Sequence, residues 1–215
     1  MIPTEEWLGP LPASNSAPDR SGNPVTLILN HWMAGSLASA DARFHDPTAQ
    51  VSAHYGVGTD GRLVQWVLED GTAYHAGRWN TNVVSIGIEH ECGPDLAPSD
   101  ALYRTSVALH RQLSQKYGIR LEVGVTVLPH HAIVATQCPG TLDLGRIVKE
   151  AGMASPVLAG QSNDPRLLVG EVGWLNGIWT YPSGNRTISR KVYGLEQGRY
   201  IYTLYPPVDP DADQP

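Results

Sequence analysis

The groups in this chain that can do chemistry are its imidazoles, its two thiols and a pair of carboxylates two residues apart. Eight histidines occur (His31, His45, His54, His75, His90, His110, His130 and His131), with cysteines at Cys92 and Cys138. The helical pattern of two His four apart with a Glu between, by which many metalloproteases hold zinc, is absent. Instead, His130 and His131 precede Thr136-Gln137-Cys138-Pro139-Gly140. Imidazole and thiolate are good zinc ligands, and two His with one Cys leave a fourth position open to water. Neighbours in an extended segment point to opposite sides, so His130 and His131 cannot both serve one ion, and residue type alone does not choose between them. The carboxylates are Glu89 and Glu91, which share one face of a strand, with Ile88 and His90 on the other. Two like charges on one face raise the pKa of one and suit it to proton transfer. Glu91 also reads as a solvated rim residue, His54 as a packed one, and His45, His90 and His110 as structural or surface residues. Cys92 reads as a free thiol.

These groups need elements to hold them. Val25–Asn30 is a continuous apolar run of strand length, as expected for a strand buried on both faces, and His31 stands at its end. Residues 36–44 predict a short helix stopped near Pro47. Val51–Val57 and Arg62–Leu68 flank Thr59-Asp60-Gly61, and Asp-Gly between apolar runs is a strong hairpin signal. A further strand is expected over Val83–Glu91. Ser99 is placed to cap a helix over 99–117 that ends at Gly118. A strand over Leu121–Leu128 and a helix over Leu142–Ala151, stopped by Gly152, follow. Strands followed by helix, strand and helix predict an α/β fold, a central mixed β-sheet flanked by α-helices.

Of the 215 residues, 41% are hydrophobic and 17% charged, which supports one sizeable core and excludes wholesale disorder. The 22 Gly and 17 Pro predict many loops. A net charge of −6 argues against a phosphate-backbone binder, so no nucleic acid partner is expected. No run approaches the ~18 apolar residues of a membrane span, and no membrane partner is expected. The opening residues lack the basic and apolar regions of a signal peptide. Residues 1–24, with four prolines before Pro24, read as an arm that wraps the domain. Residues 25–155 read as the main domain, and 156–215 as a C-terminal extension: a pattern-poor linker over 153–172, an aromatic, strand-rich segment over 173–205, and a frayed tail from Pro206. Within the extension, Tyr200–Tyr205 is expected to pair with Ile188–Tyr193. The segment is read first as a hairpin completing the core, the alternative being a small binding appendage.

Together these segments resemble the zinc-dependent N-acetylmuramoyl-L-alanine amidases, a family that includes phage endolysins and peptidoglycan recognition proteins. Leu27–Gly35 is similar to the family's first ligand segment, a buried strand ending in His before a turn of small residues. Val51–Tyr55 with Asp60–Gln65 resembles its hairpin. Ala73-Tyr74-His75-Ala76-Gly77, Asn80 and Ser85–Glu89 resemble its substrate-side strands, and His130 to Gly140 its closing ligand motif. The blocks span about residues 25–150 in the family's order.

The resemblance implies one Zn²⁺ per chain on His31, His130 and Cys138. His130 rather than His131 is implied because the family's ligand stands six before the Thr and eight before the Cys. Glu89 falls on the position of a catalytic acid. Thr136 falls where many bacterial and phage members have Lys, which implies oxyanion stabilisation by a hydroxyl or by the metal itself. A Tyr used by some members is Ala53 here, and Tyr55 does not take its place. Trp32, Tyr74, His75, Trp79 and Asn80 are implied on the substrate side, the aromatics as a wall for sugar rings. The implied activity is hydrolysis of the amide between N-acetylmuramic acid and L-alanine in peptidoglycan, by a monomer made in the cytoplasm and acting on the wall as a phage-type endolysin does. Two alternatives are a peptidoglycan-binding module without catalysis, in which the Cys is commonly lost, and an amidase of soluble muropeptides, in which Asp usually replaces it.

Overall fold

In the computed structural model, residues 5–152 are described in full, together with the backbone of 178–183, 186–196 and 199–204. The chain divides into two compact units, Met1–Met153 and Ala154–Pro215.

In the first unit the strands are β1 (Glu5–Trp7), β2 (Ser16–Ala17), β3 (Leu27–Trp32), β4 (Tyr55–Val57), β5 (Leu63–Gln65), β6 (Thr72–Ala73), β7 (Ser85–His90) and β8 (Val127–Pro129). The helices are α1 (Leu37–His45), α2 (Trp79–Asn82), α3 (Asp100–Tyr117) and α4 (Leu144–Gly152). Six strands form the central sheet in the order β1-β5-β4-β7-β3-β8. β4, β7, β3 and β8 run parallel, β5 is antiparallel to β4, and β1 is parallel to β5, so the sheet is mixed as expected. Apolar side chains cover both faces. Ile28, Ile86, Ile88 and Val127 pack with Leu102, Leu109 and Leu113 of α3 and with Ile147 of α4. Leu37 and Phe44 of α1 pack with Val64, Trp66 and Ala73 on the other side. A strand covered on both faces has no place for polar alternation, which is why β3 reads as a solid apolar run.

The helix signals act as expected. The Ser99 hydroxyl accepts from Leu102 N, and Gly118 closes α3 in the left-handed conformation, with φ of 67°. Ser36 and Ser39 form a reciprocal capping box on α1. The strand expected over Leu121–Leu128 is shorter. The Glu122 carbonyl accepts from Val125, Thr126 and Val127, Gly124 takes a φ of 81°, and the chain turns before β8 begins.

The arm does more than wrap. β1 adds an edge strand to the sheet, β2 pairs with β6, and Arg20 is buried. The Arg20 guanidinium donates to the carbonyls of Glu69, Val83 and Ser85 and so ties the arm to the loop that leads into β7. No apolar alternation announces β1, because all three of its residues are exposed.

In the second unit, β9 (Ile178–Ser183), β10 (Arg186–Glu196) and β11 (Arg199–Leu204) form their own antiparallel sheet in the order β11-β10-β9. The expected pairing is present, with Val192 opposite Tyr202. Their hydrogen-bond pairing is confined to these three strands. The linker over 153–172 and the tail from Pro206 lie outside the described residues.

Candidate functional site

The parallel strands deliver three groups to one end of the sheet. β3 ends in His31-Trp32, and β8 runs beside it with Pro129 opposite Asn30. His130 therefore emerges level with His31, in a 3-10 turn over His130–Ala132. The loop after that turn brings back Cys138, whose Sγ lies 3.8 Å from His31 Nδ1 and accepts from the Trp32 backbone N–H at 3.3 Å. The ring centroids of His31 and His130 are 4.4 Å apart. The ligand atoms of His31, His130 and Cys138 all fall within 4.8 Å of one another.

The donor set fits a metal ion. His130 Nε2 is buried without a hydrogen-bond partner, and the Ala76 backbone lies near the same ring. Two imidazole nitrogens and one sulfur suit zinc, and zinc–ligand bonds of ~2.0 and ~2.3 Å at a tetrahedral angle put N and S about 3.5 Å apart. The observed 3.8 Å separation is close to that value. Burial pushes the Cys138 thiol up to about 12 and holds His31 well below the usual imidazole range. The site thus favours neutral imidazole and needs a cation to hold a thiolate.

Glu89 lies beside this group, in register with His31 across the β3–β7 pair, so their side chains share a face. Its Oε2 is buried without a partner, and burial alone pushes its pKa up to about 8. Glu91 does not supply a second site carboxylate. Its Oε1 accepts from Leu37 N at 2.9 Å, and its Oε2 accepts from Thr59 N at 2.8 Å and from the Thr59 hydroxyl at 3.1 Å. It pins the start of α1 to the β4–β5 turn, so the expectation of a solvated rim residue is replaced by a structural one.

The other sequence-predicted residues spread around this centre. Thr136 is exposed, and its hydroxyl oxygen accepts from Cys138 N at 3.2 Å, shaping the turn that presents the thiol. His131 is exposed and grips the Cys138 carbonyl through its backbone N–H and Nδ1. Trp32 is half-buried and its ring lies over Gly140, where a Cβ would come within 2.0 Å of it. That contact makes it a brace of the Cys138-Pro139-Gly140 loop more than a free wall for a sugar. Tyr74 and the exposed Trp79 form an edge-to-face pair with centroids 6.1 Å apart, and Asn80 is exposed beside them. His75 is buried with both ring nitrogens engaged, so it offers neither to a substrate.

Two supports had no sequence signal of their own. His90 Nδ1 donates to the His31 carbonyl at 2.9 Å, and its Nε2 is 2.8 Å from the Ser106 hydroxyl on α3. The Asn82 side chain accepts from His75 N and Ala76 N at 3.2 and 2.8 Å, fixing the segment that faces both imidazoles.

Comparison with known proteins bears on this arrangement. The sequence profile of the N-acetylmuramoyl-L-alanine amidase family matches residues 21–141. N-acetylmuramoyl-L-alanine amidase A of Achromobacter lyticus is 42% identical over 81 residues, 37% of this chain and 45% of that protein, so the match takes in less than half of that relative's length. The 1,6-anhydro-N-acetylmuramyl-L-alanine amidase AmpD of Citrobacter freundii is 40% identical over 145 residues, 54% of this chain and 77% of that protein. The solved structure of the amidase LysC from Clostridium intestinale aligns with a TM-score of 0.59 at 18% identity, covering 71% of this chain and all of that one, and shares the fold.

Proposed function

We propose, for a chain that belongs to the N-acetylmuramoyl-L-alanine amidase family, that it is a zinc hydrolase cleaving the amide between N-acetylmuramic acid and L-alanine in peptidoglycan. The observation that carries this reading is the His31–His130–Cys138 set, with His31 and Cys138 buried and His130 half-buried, beside a carboxyl whose Oε2 is buried without a partner. We assign His31 Nδ1, His130 Nε2 and Cys138 Sγ as the atoms that hold one zinc. Zinc so bound supplies electrophilic polarisation of the amide carbonyl and makes water more acidic.

Glu89 is the proton carrier. With its pKa raised toward neutrality by burial, it can take a proton from the attacking water at Oε2 and release it to the leaving amine nitrogen. A cation at the neighbouring ligand set pulls that pKa down and favours the basic form that starts the cycle. Thr136 Oγ1 accepts from Cys138 N, which leaves its hydroxyl hydrogen to donate to the developing oxyanion. The half-buried Tyr74 with the exposed Trp79 and Asn80, next to the segment behind His31, offers surface for the glycan and the start of the peptide.

The protein acts as a monomer on the cell wall in this reading, and among the described residues no helix is long and apolar enough to cross a membrane. The second reading, cleavage of soluble muropeptides, is favoured by the AmpD match. Mass spectrometry separates the two: intact sacculi and soluble anhydro-muropeptides are digested in parallel, and free lactyl carboxyl and free L-alanine amine ends are counted. Release from sacculi supports the wall reading, and release from the soluble substrate alone replaces it. Release from neither, by zinc-loaded protein, refutes the amidase assignment and leaves a binding module.

A further inference from the structure

His75 closes a hydrogen-bond chain whose direction the structure fixes. Its Nδ1 lies 3.1 Å from His31 Nε2, and its Nε2 lies 3.1 Å from the Ser85 hydroxyl. That hydroxyl lies 2.6 Å from the Thr81 carbonyl oxygen, to which it can only donate. Ser85 Oγ therefore accepts from His75 Nε2–H. A neutral imidazole has one ring proton, so His75 Nδ1 is an acceptor and receives Nε2–H of His31. His31 is then left with a bare Nδ1, the atom that faces Cys138 Sγ.

Packing holds His75 in this role. Its ring lies against Gly87 of β7, where a Cβ would come within 2.5 to 2.7 Å of three ring atoms. Asn82 clamps the backbone on either side of it, and the backbone of the next residue, Ala76, lies near the His130 ring. One short segment thus holds His31 through a side chain and runs beside the His130 ring.

We propose that His75 is a positioning residue: through the Thr81–Ser85–His75 chain it fixes the proton of His31 on Nε2 and keeps Nδ1 bare and aimed at the metal. The role is exerted through His31, and it rests on the zinc reading above. Partners of this kind fix the tautomer and orientation of a metal-ligating His, and their loss typically weakens metal binding about 10–100-fold.

The test uses the full chain in two measurements. Long-range ¹H–¹⁵N correlation on metal-free, imidazole-labelled protein reads the His31 tautomer, and competition against a chromophoric chelator reads zinc affinity. The wild type should show His31 protonated at Nε2. His75→Ala should show protons shared between both His31 nitrogens and about 10–100-fold weaker zinc binding. His75→Asn, whose amide oxygen stands near the lost Nδ1, should restore most of both. Ser85→Ala, which touches neither ligand nor metal, should shift the tautomer in the same direction by less. Wild-type protonation at Nδ1 overturns the proposal, and so does His75→Ala with unchanged tautomer and affinity. Should His75→Ala fail to fold, the wild-type tautomer and the Asn and Ser85 variants decide. A wild type with the Nε2–H tautomer that binds no zinc overturns the metal reading and leaves the proton chain standing, so the two failures are distinguishable.

Discussion

Replacing Glu89 by Gln should make the metal-free protein more stable and the loaded enzyme far slower. The native carboxyl is pushed by burial from 4.5 up to about 8. A group whose folded pKa is raised contributes its stability below the unfolded value and loses it as pH rises through the folded one. At pH 7 the unfolded carboxyl is ionised while the native one is still mostly protonated, and the gap from 4.5 to 7 is worth about 3 kcal/mol against folding. Gln keeps the shape and removes the charge. The stability difference between variant and wild type should therefore be near zero at pH 4.5, grow to about 3 kcal/mol at pH 7 and level off above pH 8. Urea unfolding followed by tryptophan fluorescence, in chelator, across that pH range measures it. In parallel, kcat on sacculi should fall by ~10²–10⁴ with zinc retained, the usual scale for a positioned proton carrier. A stability difference that does not change with pH would refute the desolvated carboxyl. Unchanged kcat would move proton transfer away from Glu89.

Three further outcomes follow from the same geometry. Cys138→Ser should weaken zinc by more than the ~10–100-fold expected of a supporting residue, because it removes a ligand atom, and chelator competition checks this. Glu91→Ala should leave zinc affinity unchanged but destabilise the domain by ~1–3 kcal/mol, since it strips the acceptor from Leu37 N and Thr59 N; an equal loss of zinc would place it in the site. Burial holds His54 and His90 at about 3 and His110 at about 4, so the stability they contribute is present above the unfolded value near 6.5 and lost as pH falls toward 4. Each adds about 1.4 kcal/mol per pH unit to acid destabilisation, and His110→Gln should remove one such share from the pH dependence of the urea midpoint.

The local signals were strong where one segment decides its own state. The Ser99 cap, the Gly118 stop and the apolar run of β3 could be read directly, because caps and two-sided burial act within a few residues. The candidate ligands could be named because each ends a strand or sits in a dense motif, yet residue type left His130 and His131 equal. The fold separates them: the 3-10 turn puts the His130 ring beside His31 and sends His131 outward to the Cys138 carbonyl. Edge strand β1 stayed hidden because an exposed strand carries no apolar pattern, and its place is set by main-chain bonds to β5.

Side-chain partnership is a matter of distance in space, and there the sequence ran out. Strand alternation put Glu89 and Glu91 on one face and suggested a repelling pair, but Glu91 is held by two backbone N–H groups and Glu89 owes its raised pKa to burial alone. His75 reads as a substrate contact by its neighbours in the chain, and only the fold, which packs its ring on Gly87 of β7, brings it to His31 across 44 residues of sequence. The sequence determined the main helices and inner strands, the order of the chemical groups and the family. The tertiary structure decided which groups face one another and which lose their water, because proton placement and pKa depend on neighbours that the chain brings together only when folded.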